Sequence, residues 1–290
     1  MRALTRLFCL MFATLFSLSV YAECRQPSLR IAVIPKKSME ELMKDYQPLL
    51  ERLSDTLGIP VSIVPASSYE SVVDAVVSGG VDIAWLGPAS YALAQQRDPR
   101  IEPFASLAIK NGYFTPAGHH YQALLLAKRE VAGDLEALRG KRGALSDPAS
   151  TSGSVVPNVE FAAQVGMPLS RFFGSVAYSG SHDKSIDALL EGRVDAAFVA
   201  SVRADAYLNS GRINRDTFNV LWRSERIYYD PYVFRGNLCA EYKALIRKAM
   251  LENQDGLAAF LASQDASSIA PVSRAEYAPL LRMMETRPGG

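Results

Sequence analysis

Two short stretches hold residues whose types and spacing suit the capture of an oxyanion. The first is Asp147-Pro-Ala-Ser-Thr-Ser-Gly-Ser-Val-Val-Pro157. Ser150, Thr151 and Ser152 bring three hydroxyls to what reads as a helix start, and Gly153 would let a ligand approach the backbone closely. The first N–H groups of a helix have no partner within it and carry the positive end of its dipole. Such an end can hold a phosphate-like anion without Lys or Arg. The same Ser or Thr would serve equally as a plain helix cap, and spacing alone leaves both readings open. The second stretch, Tyr178-Ser-Gly-Ser-His-Asp-Lys184, again joins a strand to a helix. It puts His182 at the kind of turn where α/β folds bind ligands.

Nucleophilic chemistry fits these residues poorly. Ser152, His182 and Asp183 could be cast as a triad, but the G-x-S-x-G elbow is missing and an adjacent His-Asp pair cannot orient well. Cys and His are few and lack metal-ligand spacing. The expectation is therefore no catalytic residue, no metal and no cofactor.

The elements that position these residues follow from hydrophobic period and punctuation. Leu29–Ile34 reads as a strand, and Ser38–Leu57 as a helix with Pro48 inside it, bent there, and Gly58 as its stop. Val61–Val64, Tyr69–Val77 and Val81–Trp85 continue as strand, helix, strand. That alternation points to an α/β unit with a largely parallel sheet. A second series runs from Tyr121: strands at Tyr121–Ala127, Arg142–Leu145, Ser175–Tyr178, Val194–Val199 and Phe218–Trp222. Helices at Asp134–Leu138, Ser152–Val165, His182–Leu190 and Ser201–Asn209 lie between them. The chain then returns through Tyr232–Phe234 and ends in helices at Ala240–Leu251, Gln254–Ser263 and Ser273–Met284. The expected division is one lobe from 23–114 with 230–290 and another from 115–229. Crossings near Lys110–Gly118 and Ser224–Pro231 would make a hinge with a cleft between the lobes. One internal echo, Val77-Ser-Gly-Gly-Val-Asp-Ile-Ala against Leu190-Glu-Gly-Arg-Val-Asp-Ala-Ala, suggests the same helix-turn-strand unit once in each.

The ends and composition bound the setting. Arg2 and Arg6, the apolar run Leu7–Val20 and Val20-Tyr21-Ala22 read as a secretory signal peptide over 1–22, with a periplasmic mature protein. The run is shorter than the roughly 20 apolar residues of a bilayer span. A formal net charge of +1 gives no global field for nucleic acid or acidic membranes. Past the signal, Cys24 and Cys239 remain. In an oxidising compartment they form either a disulfide or two separate thiols.

Taken together, Asp147-Pro-x-Ser-Thr-Ser-Gly-x-x-x-Pro157, Ser179-Gly-Ser-His-Asp183, Val81-Asp-Ile-Ala-Trp-Leu-Gly-Pro-x-Ser-Tyr91 and Leu138-Arg-Gly-Lys141 resemble the periplasmic phosphate/phosphite/phosphonate-binding protein family. The resemblance runs from about Leu29 to Leu251. It implies the two-lobed periplasmic binding protein fold (type II), an α/β architecture with the ligand in the interlobe cleft. It also implies that Ser150, Thr151, Ser152 and His182 hold phosphonate oxygens, that Tyr69 reaches the anion from the first lobe, and that Asp230 stands at the hinge side. Two positions depart from the pattern. Val202 stands where aminoalkyl-phosphonate binders carry a Glu, and Leu86 replaces a possible Tyr, with Tyr91 a turn further on. Phosphite or methylphosphonate is thus expected to bind better than 2-aminoethylphosphonate. The implied partner of the monomer is an ABC permease or, alternatively, a membrane sensor such as a histidine kinase.

Overall fold

A computed structural model describes Cys24, residues 26–130 and residues 133–285. The expected signal peptide, 1–22, lies outside the described residues. Two sheets organise the chain. The first has six strands in the order β13-β4-β12-β3-β1-β2, with β1 at Leu29–Val33, β2 at Val61–Val64, β3 at Ile83–Trp85, β4 at Glu102–Ile109, β12 at Pro231–Phe234 and β13 at Ala266–Pro271. The second has five in the order β10-β6-β9-β7-β8, with β6 at Ala123–Lys128, β7 at Arg142–Leu145, β8 at Ser175–Tyr178, β9 at Ala196–Ala200 and β10 at Phe218–Arg223. Between them β5, His120–Tyr121, pairs antiparallel with β11, Ile227–Tyr228, so the two crossings of the chain are zipped into a narrow ribbon.

The first sheet is less parallel than the sequence suggests. β1 runs parallel to β2 and β3, but β12 is antiparallel to both β3 and β4, and β13 to β4. The reason is the excursion into the second sheet: the returning segment reaches β3 from the opposite direction. β4 and β13 were not legible as strands. Ala266–Pro271 has Ile269 as its one large apolar residue and no alternation, and its pairing with β4 defines it.

Local chemistry sets the helix that follows β1. Ser38 caps Met39–Leu57 through a reciprocal box with Glu41, and Gly58 stops it at φ 65°. Leu42, Tyr46, Leu49 and Leu53 repeat at helical spacing and are buried against the first sheet. The helix is continuous through Pro48.

The internal echo has a physical reading. Asp82 exchanges hydrogen bonds with Arg30: its N–H donates to the Arg30 carbonyl and its carboxylate accepts the Arg30 N–H, each at 2.8 Å. Asp195 does the same with Arg142, at 2.9 Å each way. Both carboxylates also pair with an arginine, Asp82 with Arg235 and Asp195 with Arg142, each at 2.8 Å. Gly79 at φ 76° and Gly192 at φ 74° turn the chain before each Asp. The repeated Val-Asp thus fixes where a strand starts against its neighbour, once in each sheet.

Cys24 is disulfide-bonded to Cys239, with Cα atoms 5.9 Å apart. Of the two readings open in the sequence, the bonded one holds. No helix among the described residues is long and apolar enough to cross a membrane.

Candidate functional site

Four strand-to-helix turns converge on one small pocket. Tyr69, Thr151 and His182 are the first residues of their helices, and Gly87 caps a fourth, Pro88–Arg97. All four line the pocket, with Ser150, Ile34, Lys36, Tyr121, Ala200 and Asp230. Helix starts offer unpartnered N–H groups and a positive potential, so their convergence favours an anion.

The helix that opens at Thr151 is wound unusually wide. Its first turn closes i→i+5, with Val155 N–H donating to Ser150 C=O at 3.0 Å and Val156 N–H donating to Thr151 C=O. Pro157 has no N–H to give Gly153. The Gly153 carbonyl instead accepts the Ser146 N–H at 2.9 Å, which ties the helix start to the end of β7. The role of Gly153 differs from the one expected. A Cβ there would sit 2.4 Å from Ser146 Oγ and 2.9 Å from His182 Cε1. The glycine makes room for the residues that support the site, and Gly153 does not line the pocket.

His182 is buried, and its tautomer follows from its partners. Nδ1 accepts the Ala200 backbone N–H at 3.2 Å and lies 2.9 Å from Ser146 Oγ. A backbone N–H can only donate, so the proton of a neutral ring sits on Nε2, 3.3 Å from Ser150 Oγ at the pocket. Burial, with the nearby charges of Lys36 and Arg203, pushes the His182 pKa down to about 3. The imidazole is therefore a neutral N–H donor. Asp183 does not orient it: that carboxylate makes two 2.9 Å hydrogen bonds with Arg203. Ser152, His182 and Asp183 form no relay.

Thr151 stands on the second sheet's side and reaches the first. Its Oγ1 accepts the Ala89 N–H at 2.9 Å, and a Cβ on Gly87 would be 3.1 Å from that oxygen. Ser90 Oγ donates to the Ala149 carbonyl at 2.8 Å, and the Tyr69 N–H to Asp147 Oδ2 at 3.3 Å. The two sides thus meet at the pocket. The Thr151 hydroxyl keeps its own proton to donate.

Several buried polar atoms have no hydrogen-bond partner: Tyr69 OH, Ser152 Oγ, Tyr91 OH and Asp230 Oδ1. Burial, then the charges of Asp230 and Asp147, raises the Tyr69 pKa well above that of a free phenol, so Tyr69 is a donor. Tyr91 is not brought to the pocket. It packs edge-on against Tyr277 at 5.4 Å in a cluster with Leu86 and Val72. Val202 lies in a neighbouring cleft of about 260 Å³, where Trp85, Lys110 and Asp205 also stand.

Two polar side chains of the pocket escaped the sequence reading, along with Ile34, Gly87 and Ala200. Tyr121 opens the ribbon between the sheets, and Lys36 follows β1. Lys36 is 7% exposed and pairs with the 2% exposed Asp230 through Oδ2. Its ammonium also lies 4.0 Å from the centroid of the Trp85 ring. Burial lowers the Lys36 pKa and raises that of Asp230, each countered by the other's charge. The Asp230 backbone is anchored: its carbonyl accepts from Trp85 Nε1 at 3.2 Å and Ser106 Oγ at 3.1 Å. The only hint in the sequence was that Lys36 follows the end of a strand.

The profile of a family described as "ABC transporter, phosphonate, periplasmic substrate-binding protein" matches residues 31–277. The phosphonates-binding periplasmic protein of Escherichia coli is 29% identical over 277 residues, covering 88% of this chain and 80% of that protein. The phosphate-import protein PhnD of Mycolicibacterium smegmatis is 28% identical over 216 residues, 72% of this chain. That match spans 66% of the mycobacterial protein's own length. A crystal structure of PhnD1 from Prochlorococcus marinus superposes with a TM-score of 0.76 at 19% identity, over 89% of this chain and 97% of that one. This last likeness establishes the two-lobed fold.

Proposed function

This chain belongs to the periplasmic phosphonate substrate-binding family of ABC transporters, and we propose that it captures a small phosphorus oxyanion between its lobes and presents it to a permease. The observation that carries this reading is the convergence of four helix starts on one pocket, where the Tyr69 hydroxyl is buried without a hydrogen-bond partner. Ser150, Thr151, Tyr69, Tyr121 and the Nε2–H of His182 line the pocket and supply hydrogen bonds, and Lys36 supplies a positive charge; Ser152 Oγ, buried without a partner, does not line it. Asp230 Oδ1, buried and unpartnered, suits an oxygen that still carries a proton. Phosphate and the monoanions of phosphite and alkylphosphonates, which are populated near neutral pH, have such an oxygen, and sulfate does not. The structure of the relative from Prochlorococcus is of its complex with methylphosphonate, a ligand of this class.

The test is calorimetry with phosphite, methylphosphonate, phosphate and sulfate on the wild type and on Thr151→Val. Phosphite or methylphosphonate should bind most tightly and sulfate most weakly. Thr151→Val removes a hydroxyl that bonds a charged ligand, worth about 1.5–3 kcal/mol, or roughly ten- to hundredfold in affinity. Equal affinity for sulfate, or an unchanged variant, would sink the proposal.

A further inference from the structure

The inner pocket and the wider cleft share one wall. Lys36 lines both, and Trp85 and Tyr229, whose rings flank its ammonium, line the cleft. The inner pocket is small, with about 10 Å³ of free room, while the cleft holds about 260 Å³. Among the described residues Asp230 is the one carboxylate that lines the inner pocket, and its Oδ2 is bonded to Lys36 Nζ.

These observations bear on which anions the site accepts. A ligand that carries an ammonium beside its phosphonate needs a carboxylate for that ammonium once water is removed. Here that carboxylate already holds an ammonium belonging to the protein. An incoming cation would find Lys36 as a like charge at short range, and the way outward for a longer substituent is through the space the Lys36 side chain fills. Val202, which stands in the cleft rather than in the pocket, is too far out to decide this.

We infer that Lys36 is the specificity-determining residue of the site: its ammonium takes the place on Asp230 that an amine-bearing ligand would need, and its side chain plugs the passage to the cleft. The site then selects phosphite and the shortest alkylphosphonates and rejects aminoalkyl and longer-chain ones. This rests on the reading of the pocket as a phosphorus-oxyanion site.

Calorimetry on the wild-type protein with methylphosphonate, propylphosphonate and 2-aminoethylphosphonate separates plug from charge, since the last two have the same length. Methylphosphonate should bind at least about tenfold more tightly than propylphosphonate, and 2-aminoethylphosphonate should be weakest. In Lys36→Ala the passage opens and Asp230 is freed. Its affinity for 2-aminoethylphosphonate should rise about tenfold or more while that for methylphosphonate falls. Lys36→Met keeps the plug without the charge: it should weaken methylphosphonate and remove the disadvantage of 2-aminoethylphosphonate against propylphosphonate, with both still bound more weakly than by Lys36→Ala. Wild-type protein that binds 2-aminoethylphosphonate as tightly as methylphosphonate overturns the inference. That result would point to another acid for the amine, such as Asp205 in the cleft, whose Oδ2 is buried without a partner. An unchanged ligand ratio in a folded Lys36→Ala protein overturns it too. If the wild type binds none of the three phosphonates, the reading of the pocket itself falls, and the inference with it.

Discussion

Because the Ala200 N–H fixes Nδ1 as an acceptor, His182 keeps its proton on the pocket side and stays neutral. This has a measurable cost in acid. The folded-state pKa, about 3, lies below the ordinary 6.5, so the unfolded chain takes up the proton first as pH falls. The contribution to stability is whole above about pH 6.5 and is lost progressively between there and about pH 3. One proton corresponds to a slope of at most about 1.4 kcal/mol per pH unit. Denaturation of the wild type and of His182→Gln across pH 4 to 7 should show this slope only in the wild type; parallel curves would mean that His182 is not held neutral. At this scale the sequence was informative where chemistry is local. Ser150, Thr151 and His182 lie at the pocket because hydroxyls and a histidine at a strand-to-helix turn have few other places to point. Lys36 was not legible. Pro35-Lys36-Lys37 reads as a solvated loop, and only a partner 194 positions away, Asp230, explains its burial. Tyr91 shows the opposite failure: its position after a conspicuous motif suggested a ligand role, yet the helix turns it into the core.

At the level of elements, the site depends on how tightly the Thr151 helix start packs on the end of β7. Gly153 is the point of closest approach. Gly153→Ala would drive a methyl into Ser146 and His182, and overpacking of this kind costs roughly 1–3 kcal/mol. A domain of this size should lose about 2–4 °C in Tm for each kcal/mol, with ligand affinity falling as His182 is displaced. Unchanged melting and unchanged binding would show that the helix start can shift at no cost. Several helices carried their own punctuation. Tyr69–Val77, His182–Leu190, Ser201–Asn209 and Ala240–Leu251 have the bounds that their periodicity implies. The strands that went unseen or were misjudged in direction, β4, β12 and β13, are defined by partners distant in sequence. No local pattern marks a strand as the antiparallel centre of a sheet.

Across the whole molecule, the ribbon of β5 and β11 leads directly into the site: Tyr121 ends one strand of it, and Asp230 follows Tyr228 by two residues. Lys36, Asp230 and Tyr69 belong with the first sheet, and Ser150, Thr151 and His182 with the second. A bend at the ribbon would part these two half-sites, and a bound anion would hold them together. Small-angle scattering should therefore show a more compact particle with saturating ligand than without, and superimposable profiles would argue against a hinge.

The order of strands in the first sheet also bears on how the protein is made. β12 lies between β3 and β4, so the early strands cannot be joined across the middle until the chain has completed its excursion through the second sheet. The disulfide adds to this delay, since Cys24 must wait for Cys239. A ribosome would thus deliver the first lobe's beginning long before its centre. During that interval the leading segment has no finished core to collapse around. In a chain exported before it folds, such a topology would defer closure of the first lobe to the far side of the membrane.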